Sequence, residues 1–218
     1  EFGDYGQGMH YLAGVCLMVL SDHETAAVLR KVNKEYIPGH WAAEAVGFAT
    51  NAWVIESIMQ KLVPDVAAHF DKHNFWPDMY MQKIISGLCV HVLKFEQLYT
   101  FLDDFMEGGF PYLIRVMLSI VTHFHDRLLE LDGTKINEIF EIMRMDQRAV
   151  DISDHKAILA MARTYDLQDQ LENLDTRRME TYDKKVGPRL KKAPKEATFE
   201  PCELCEKGKP VWFCDECA

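Results

Sequence analysis

The chain has 218 residues, of which 48% are hydrophobic and 27% are charged, a composition that excludes a disordered or fibrous protein and predicts a soluble globular one. Lys and Arg number 24 against 34 Asp and Glu, and the net charge of -10 argues against nucleic acid or anionic lipid as a broad partner. The longest apolar run, residues 9–20, is too short for a transmembrane segment and lacks the basic flank of a secretory signal. We therefore expect a cytoplasmic protein.

Apolar residues recur at helical spacing through most of the chain, and strand patterns are weak throughout. The predicted helices, in chain order, are 9–20, 53–62, 79–93, 95–106, 113–124, 136–145 and 153–174. They are separated by turn-forming residues, namely Pro38, Gly39, Pro64, Pro77, Gly108, Gly109 and Gly133. Ser153 is the predicted N-cap of the last helix. The pattern predicts an all-α fold.

The composition changes near Gly187, where basic residues alternate with prolines and small residues and little remains to bury. We interpret 181–200 as a linker between a helical domain at 1–180 and a small motif at 201–218. The basic residues of the linker could contact an acidic partner or lipid, but a solvated tether is the simpler interpretation. Because the chain starts with Glu1 inside what reads as a functional loop, we expect it to be a fragment of a longer protein.

A short glycine-containing loop, Tyr5-Gly6-Gln7-Gly8-Met9, precedes the first predicted helix. Gly6 and Gly8 permit a tight backbone and the close approach of a ligand, and the amide of Gln7 can both donate and accept hydrogen bonds. At a helix N-terminus such a loop suits contact with a phosphate or with a water that attacks one. Taken alone, however, a polar residue between glycines before a helix is usually only a turn and cap.

The loop and several later segments together resemble the TBC domain of Rab GTPase-activating proteins. Tyr5 to Met9 resembles the family's Y-x-Q-G-M glutamine-finger motif, and His10 to Ala13 continues it. Further segments resemble the family's later landmarks in order: 36–41 (YIPGHW), 62–70 (LVPDVAAHF), 102–109 (LDDFMEGG) and 113–118 (LIRVML). The resemblance covers residues 1 to about 180.

The resemblance implies an all-helical, two-lobed domain, of which this chain holds the C-terminal portion, and an action in trans on a Rab-type small GTPase. Gln7, in a catalytic loop with Tyr5, Gly6 and Gly8, would position the attacking water. An arginine finger in an I-x-x-D-x-x-R motif would lie upstream of residue 1 and neutralise charge on the transferred phosphoryl group. The chain would then stimulate GTP hydrolysis by its partner, and it lacks the P-loop motif of a nucleotide-hydrolysing protein.

Two departures from the family pattern leave a second interpretation open. Leu102 stands where the family has Trp, and Gly108 stands where it has Glu. The alternative is a catalytically inactive TBC-like scaffold or adaptor in a trafficking, ciliary or cytoskeletal assembly. A third interpretation, an adaptor whose helices merely support a zinc module, fits less well because the helical body dominates the chain. We expect a cytoplasmic protein that is recruited to membranes or to such an assembly.

Four of the six cysteines form two C-x-x-C pairs within the last 17 residues: Cys202, Cys205, Cys214 and Cys217. Four thiolates satisfy tetrahedral Zn²⁺ with no open position, which predicts a structural zinc site, with disulfides or free thiols as the alternative. The spacing resembles the opening of a B-box or similar small module, which implies an interaction surface for a protein partner.

The remaining cysteines and paired histidines invite simpler interpretations. Cys16 and Cys89 lie in apolar helical patterns and are predicted core residues. Two histidine pairs, His69 with His73 and His123 with His125, could each grip a metal, but no third ligand is evident for either. We interpret them as surface or core histidines.

Overall fold

The computed structural model describes residues 7–42 and 44–192, with the side chains of Gln7, Lys191 and Lys192 excepted. Its helices are α1 (Gln7–Leu17), α2 (Asp22–Lys31), α3 (Val46–Leu62), α4 (Pro64–Lys72), α5 (Pro77–Tyr80), α6 (Gln82–Ile85), α7 (Phe95–His123), α8 (His125–Glu130), α9 (Ile136–Met143), α10 (Ile152–Thr164), α11 (Leu174–Thr181) and α12 (Gly187–Lys192). Short helical turns follow α2 (Val32–Tyr36), precede α9 (Gly133–Lys135) and follow α11 (Tyr182–Val186). These ranges contain no strand. The all-α prediction is confirmed for the described part of the chain.

Helix α7 shows how the sequence signals shape an element. The predicted break at Gly108-Gly109 is a kink, because Gly109 has φ 59° and ψ −146°, a conformation that residues with a Cβ avoid. Pro111 follows the kink without disrupting the helix, since it lies in the first turn of the second segment, where its missing N–H has no partner to lose. The two predicted helices at 95–106 and 113–124 are thus the halves of α7.

Three sequence predictions are wrong: one helix, the extent of another, and its N-cap. The helix predicted at 79–93 is instead the short helices α5 and α6 followed by turns, because Leu88 and Cys89 adopt positive φ values of 47° and 58°. The long helix predicted from Ser153 to Leu174 ends at Thr164, and α11 begins only at Leu174. The N-cap of α10 is Asp151 and not the predicted Ser153. The Asp151 carboxylate accepts from the backbone N–H groups of Ser153 and Asp154.

The core is built around α7. Helix α10 packs along α7, and α3 packs against α4, α5 and α11. Apolar side chains from these helices are fully buried, among them Phe70, Ile55, Phe101, Ile114 and Ile158. Cys16 and Cys89 are both buried with free thiols, which confirms their predicted place in the core. The helical part of the core therefore consists of side chains at the spacings that predicted the helices, whereas Cys89 joins the core from a turn segment.

The chain divides into two units after Val186. All helices from α1 to α11 belong to the first unit, and of the second the structure describes only α12. Within the described ranges, no helix combines the length and the apolar composition that crossing a bilayer needs.

Candidate functional site

The candidate catalytic loop lies at the start of α1. Tyr5 and Gly6 precede the described residues, and Gln7 is described only in its backbone, as the first residue of α1. Gly8, the next residue, lies in close contact with two other segments of the chain. A Cβ on Gly8 would lie 2.4 Å from the carbonyl oxygen of Ser86 and 3.0 Å from Nε1 of Trp41. The start of α1 therefore rests directly on the Ser86 backbone, and only glycine permits this approach.

The Ser86 backbone belongs to a segment with an uncommon conformation. Leu88 and Cys89 both have positive φ values, and both side chains are fully buried. Their backbone is held from α6, since Gly87 N–H donates to the Gln82 carbonyl at 2.9 Å and Cys89 N–H donates to the Lys83 carbonyl at 3.0 Å. Burial and these bonds together hold a conformation that costs about 1–3 kcal/mol per strained residue. The segment is thus a firm support for Gly8.

Trp41 and His40 reach the same segment from the Pro38-Gly39 turn. The indole Nε1–H of Trp41 donates to the Ser86 carbonyl oxygen at 3.0 Å. Nδ1 of His40 lies 3.1 Å from the Ser86 hydroxyl. Both side chains are almost fully buried, so water cannot replace these hydrogen bonds. The segment at 36–41 therefore contributes to the support of the candidate loop.

The hydrogen bonds continue from His40 to Asn51 of α3 and from there to Arg178 of α11. Nδ2 of Asn51 lies 2.7 Å from Nε2 of His40, and Nε of Arg178 donates to Oδ1 of Asn51 at 2.9 Å. Arginine can only donate, so the Asn51 oxygen faces Arg178 and the Asn51 nitrogen faces His40. His40 Nε2 must then accept, which leaves the proton on Nδ1, where it can be donated to Ser86.

The surroundings of His40 keep its ring neutral. Burial lowers the pKa of His40 to about 3, against a smaller opposing effect of a hydrogen bond to the Ile85 carbonyl. The nearby Arg178 guanidinium lowers the pKa further. The ring therefore keeps one donor and one acceptor nitrogen across the physiological pH range, as the bonds to Ser86 and Asn51 require.

A second contact joins Tyr36 to the kink of α7. A Cβ on Gly109 would lie 3.3 Å from the Tyr36 ring, and the Tyr36 hydroxyl donates to the Met106 carbonyl at 2.8 Å. The sequence segments at 36–41 and 102–109 are therefore in contact. By contrast, the segment at 62–70 contributes to the core, since Val66 and Phe70 are fully buried.

A cavity opens beside Gly8 and offers room for a partner. It measures about 230 Å³ and is lined by Gly8, Tyr11, Gln82, Lys83, Ser86, Gly87 and His91. The rings of Tyr11 and His91 meet edge to face with centroids 3.6 Å apart. The lining is more apolar than polar in exposed area, and it includes the polar side chains of Gln82 and Lys83.

The two histidine pairs are occupied by contacts within the chain. His69 Nε2 lies 2.6 Å from the Leu131 carbonyl, and His123 Nε2 lies 2.8 Å from Asp154. His125 lies between two carboxylates, with Nε2 2.6 Å from Asp65 and Nδ1 2.8 Å from Asp126. These carboxylates raise the pKa of the exposed His125 ring. In the described ranges no group of three or more potential ligands could hold a metal ion, and the four clustered cysteines lie outside those ranges.

A family model of the Rab-GTPase-TBC domain matches residues 3–129, more than half of the 218-residue chain. The chain therefore belongs to this family. The match includes the candidate loop, the supporting segment at 86–89 and the kink of α7. It ends before α10 and α11, so Arg178 lies outside the matched range.

The chain is similar to several curated proteins, three of which illustrate the range. It is 27% identical over 129 residues to TBC1 domain family member 14 of Homo sapiens, which covers 59% of this chain and 19% of that protein. It is 23% identical over 127 residues to growth hormone-regulated TBC protein 1 of Rattus norvegicus, with 58% and 44% covered. It is 24% identical over 138 residues to the ecotropic viral integration site 5 ortholog of Drosophila melanogaster, with 63% and 17% covered. The chain thus spans less than half the length of these relatives.

Sequence reasoning missed Ser86, Asn51 and Arg178. No local pattern connects them, because Arg178 and Asn51 are 127 residues apart in the chain. The signal that was available is an amide side chain, Asn51, in a stretch of α3 that is mostly apolar.

Proposed function

We propose that this chain is the part of a Rab GTPase-activating domain that supplies a glutamine finger, Gln7, to a Rab-type GTPase. Membership of the Rab-GTPase-TBC domain family supports the class of activity. The observation that carries the assignment to this loop is the contact of Gly8 with the Ser86 carbonyl and the Trp41 indole. A backbone held this closely can present the residue before it in one position, which the orientation of a reacting water requires.

The proposed chemistry needs little from the protein beyond positioning and charge. The Gln7 amide carbonyl would accept a hydrogen bond from the attacking water, and its NH₂ group would donate to the γ-phosphate. Charge that develops on the transferred phosphoryl group requires a cation, and an arginine finger supplies about 10³ to 10⁵ in rate. We assign that arginine to the family's motif upstream of residue 1. The cavity beside Gly8 supports the proposal because it leaves room for a loop of the GTPase.

The test is GTP hydrolysis by a panel of Rab GTPases with the longest natural form of the protein. Gln7→Ala should lower the stimulated rate at least tenfold, a loss of about 1.4 kcal/mol or more in transition-state stabilisation. Thermal unfolding should change little, because Gln7 is the first residue of α1 and a change at a helix end costs little stability. Gln147→Ala, at an exposed residue outside the candidate site, is the matched control and should keep the full rate.

Equal rates for Gln7→Ala and wild type, in a protein that stimulates at least one Rab, would contradict the role of Gln7. Binding of a Rab without any stimulation would instead favour the scaffold interpretation. The comparison between binding and hydrolysis therefore separates the two hypotheses. Either recruitment to a membrane or assembly with cytoskeletal or ciliary proteins is compatible with both.

We further propose that Cys202, Cys205, Cys214 and Cys217 bind one structural Zn²⁺. The donor set fits, because four thiolates complete the tetrahedral coordination of zinc and leave no open position for catalysis. Binding energy on the order of 10 kcal/mol would then stabilise the motif, which could present a surface to a protein partner. The metal would have no part in GTP hydrolysis.

Metal analysis of protein purified under reducing conditions tests the zinc proposal. We expect one zinc per chain, its loss in Cys205→Ser, and its retention in Cys16→Ala, which changes a cysteine of the helical core. Chelation should remove the zinc and leave the helical circular dichroism signal of α1 to α11 in place. Protein without zinc, or a disulfide between any two of the four sulfurs, would contradict the proposal.

A further inference from the structure

We propose that Arg178 is a positioning residue for the candidate catalytic loop and acts through Asn51, His40 and Ser86. This proposal rests on the proposed function of the loop. It extends the site to α11, which lies beyond the residues that the family model matches. The geometry points to this role because a series of hydrogen bonds begins at the partly buried Arg178, continues through the buried Asn51 and His40, and ends at Ser86, whose backbone contacts Gly8.

Arg178 is itself held in place on three sides. Its guanidinium lies over the Phe110 ring, 4.8 Å from the centroid, and its NH1 group donates to Asp175 at 2.8 Å. Its Nε donates to Asn51 Oδ1 at 2.9 Å. Phe110 directly follows the kink of α7 at Gly109. Arg178 thus occupies a defined position between α11, α3 and α7.

The direction of each hydrogen bond follows from Arg178. Because arginine has no acceptor, it fixes the orientation of the Asn51 amide, and that amide fixes which nitrogen of His40 carries the proton. His40 Nδ1–H then donates to the Ser86 hydroxyl at 3.1 Å. Replacement of Arg178 would release the Asn51 amide to rotate, and its oxygen could then face the acceptor nitrogen of His40, which would break that hydrogen bond.

The last residue of the series, Ser86, contacts Gly8 in the first turn of α1. Its hydroxyl contacts His40, while its carbonyl accepts from Trp41 and faces Gly8 at a distance that excludes a Cβ. A small rotation of the Ser86 peptide would therefore move the start of α1, where Gln7 lies. In this way a side chain of α11 controls the position of the start of α1 through Asn51, His40 and Ser86.

Amide hydrogen exchange on the 218-residue chain tests the positioning role without any assumption about activity. In Arg178→Gln we expect the first turn of α1 and the segment 86–89 to exchange at least about fivefold faster than in wild type. Arg177→Gln is the matched control, because Arg177 is the neighbouring arginine of α11 and donates instead to Gln170. A purely structural role for Arg178 would accelerate exchange in α11 and leave α1 unchanged, which would overturn the proposal.

A second variant tests the direction of the hydrogen bonds. Asn51→Asp keeps an acceptor for Arg178 but places an acceptor opposite His40 Nε2, so His40 should take up a proton. We expect the NMR resonance of the His40 Cε1–H to titrate near or above pH 6.5 in this variant and to show no titration above pH 4 in wild type. An unchanged His40 titration would contradict the proposed relay, the series of hydrogen bonds from Arg178 through Asn51 and His40 to Ser86.

Kinetics separate this inference from the proposed function. If the protein activates a Rab, Arg178→Gln should lower kcat at least about threefold with little change in KM, and Arg178→Lys, which keeps one donor, should restore part of it. Full activity in Arg178→Gln together with a loss in Gln7→Ala would overturn the positioning role and leave the proposed function standing. Faster exchange at α1 in a protein without activity would support the relay and contradict the proposed function.

Discussion

Among the polar side chains that helix α3 buries, Asn51 and Glu56 lie five residues apart, and their surroundings differ in kind. Both ends of the Asn51 amide meet a partner at 2.9 Å or less. Glu56 receives one hydrogen bond, from the Tyr80 hydroxyl at 3.3 Å, and burial raises the pKa of Glu56 to about 7. A matched polar group can fix a geometry, whereas a poorly matched carboxyl mainly costs stability. The difference distinguishes the part of α3 that supports the candidate site from the part that does not.

The largest effect on stability is expected where the hydrogen bonds that join Arg178, Asn51, His40 and Ser86, the matched cluster, are broken. Asn51→Leu would leave the acceptor nitrogen of the buried His40 without a partner and would remove the acceptor of the partly exposed Arg178. We expect a loss of about 3 kcal/mol in the free energy of unfolding, measured by urea denaturation. Gln60→Leu, at an exposed position of the same helix, should change it by less than about 0.5 kcal/mol. Similar losses in both variants would contradict the distinction.

Replacement of the poorly matched carboxyl of Glu56 should stabilise the protein rather than destabilise it. The pKa of Glu56 is raised, chiefly by burial and further by the charge of Asp71, while Tyr80 and Lys185 oppose the rise. Between about pH 4.5 and 7 the folded chain therefore binds the proton more tightly than the unfolded chain, and stability falls as the pH rises through this window. At pH 8, Glu56→Gln should raise the free energy of unfolding by about 2 kcal/mol.

The same variant provides its own control at low pH. At pH 4.5 the carboxyl of wild type is protonated in the folded chain and resembles the amide of Gln, so the two free energies of unfolding should agree within about 0.5 kcal/mol. A stabilisation that is equal at pH 4.5 and pH 8 would show that the charge of Glu56 is not its cause.

A smaller effect on stability is expected at the end of the matched cluster. Gly8→Ala would place a Cβ 2.4 Å from the Ser86 carbonyl oxygen, so the start of α1 must shift. We expect a loss of about 1 kcal/mol, since α1 can move at its end with less strain than a core helix can. Gly14→Ala is the matched control in the same helix, because a Cβ there would meet no atom within 4 Å, and it should not destabilise the protein. Equal effects of the two variants on stability would contradict the close contact between Gly8 and the Ser86 backbone.

The all-α fold could be predicted because buried residues repeat at helical spacing, and the kink at Gly109 because two adjacent glycines interrupt that spacing. The same signal misleads at 79–93. Leu88 and Cys89 are buried like helix residues, yet their backbone has positive φ, and burial alone does not report on backbone conformation. At the start of α10, Asp151 and Ser153 are both good caps, and only the structure shows that Asp151 binds two amides.

The candidate loop could be predicted from the resemblance of residues 5–13, but its support could not. Ser86 carries no motif, and its carbonyl, not its side chain, faces Gly8. His40 stood in a predicted segment, yet its neutral state depends on burial and on partners from α3 and α11. Such contacts form between residues far apart in the chain, so local spacing contains no record of them.

The most direct test of the central claim compares the affinity of the protein for two states of one Rab. The longest natural form of the protein should bind the GTPase loaded with GDP and aluminium fluoride, which mimics the transferring phosphoryl group, at least about tenfold more tightly than the GTPase loaded with GDP alone. Gln7→Ala should lose most of this preference while its affinity for the GDP-loaded form stays the same. A preference that is unchanged in Gln7→Ala would contradict the assignment of Gln7 as the glutamine finger.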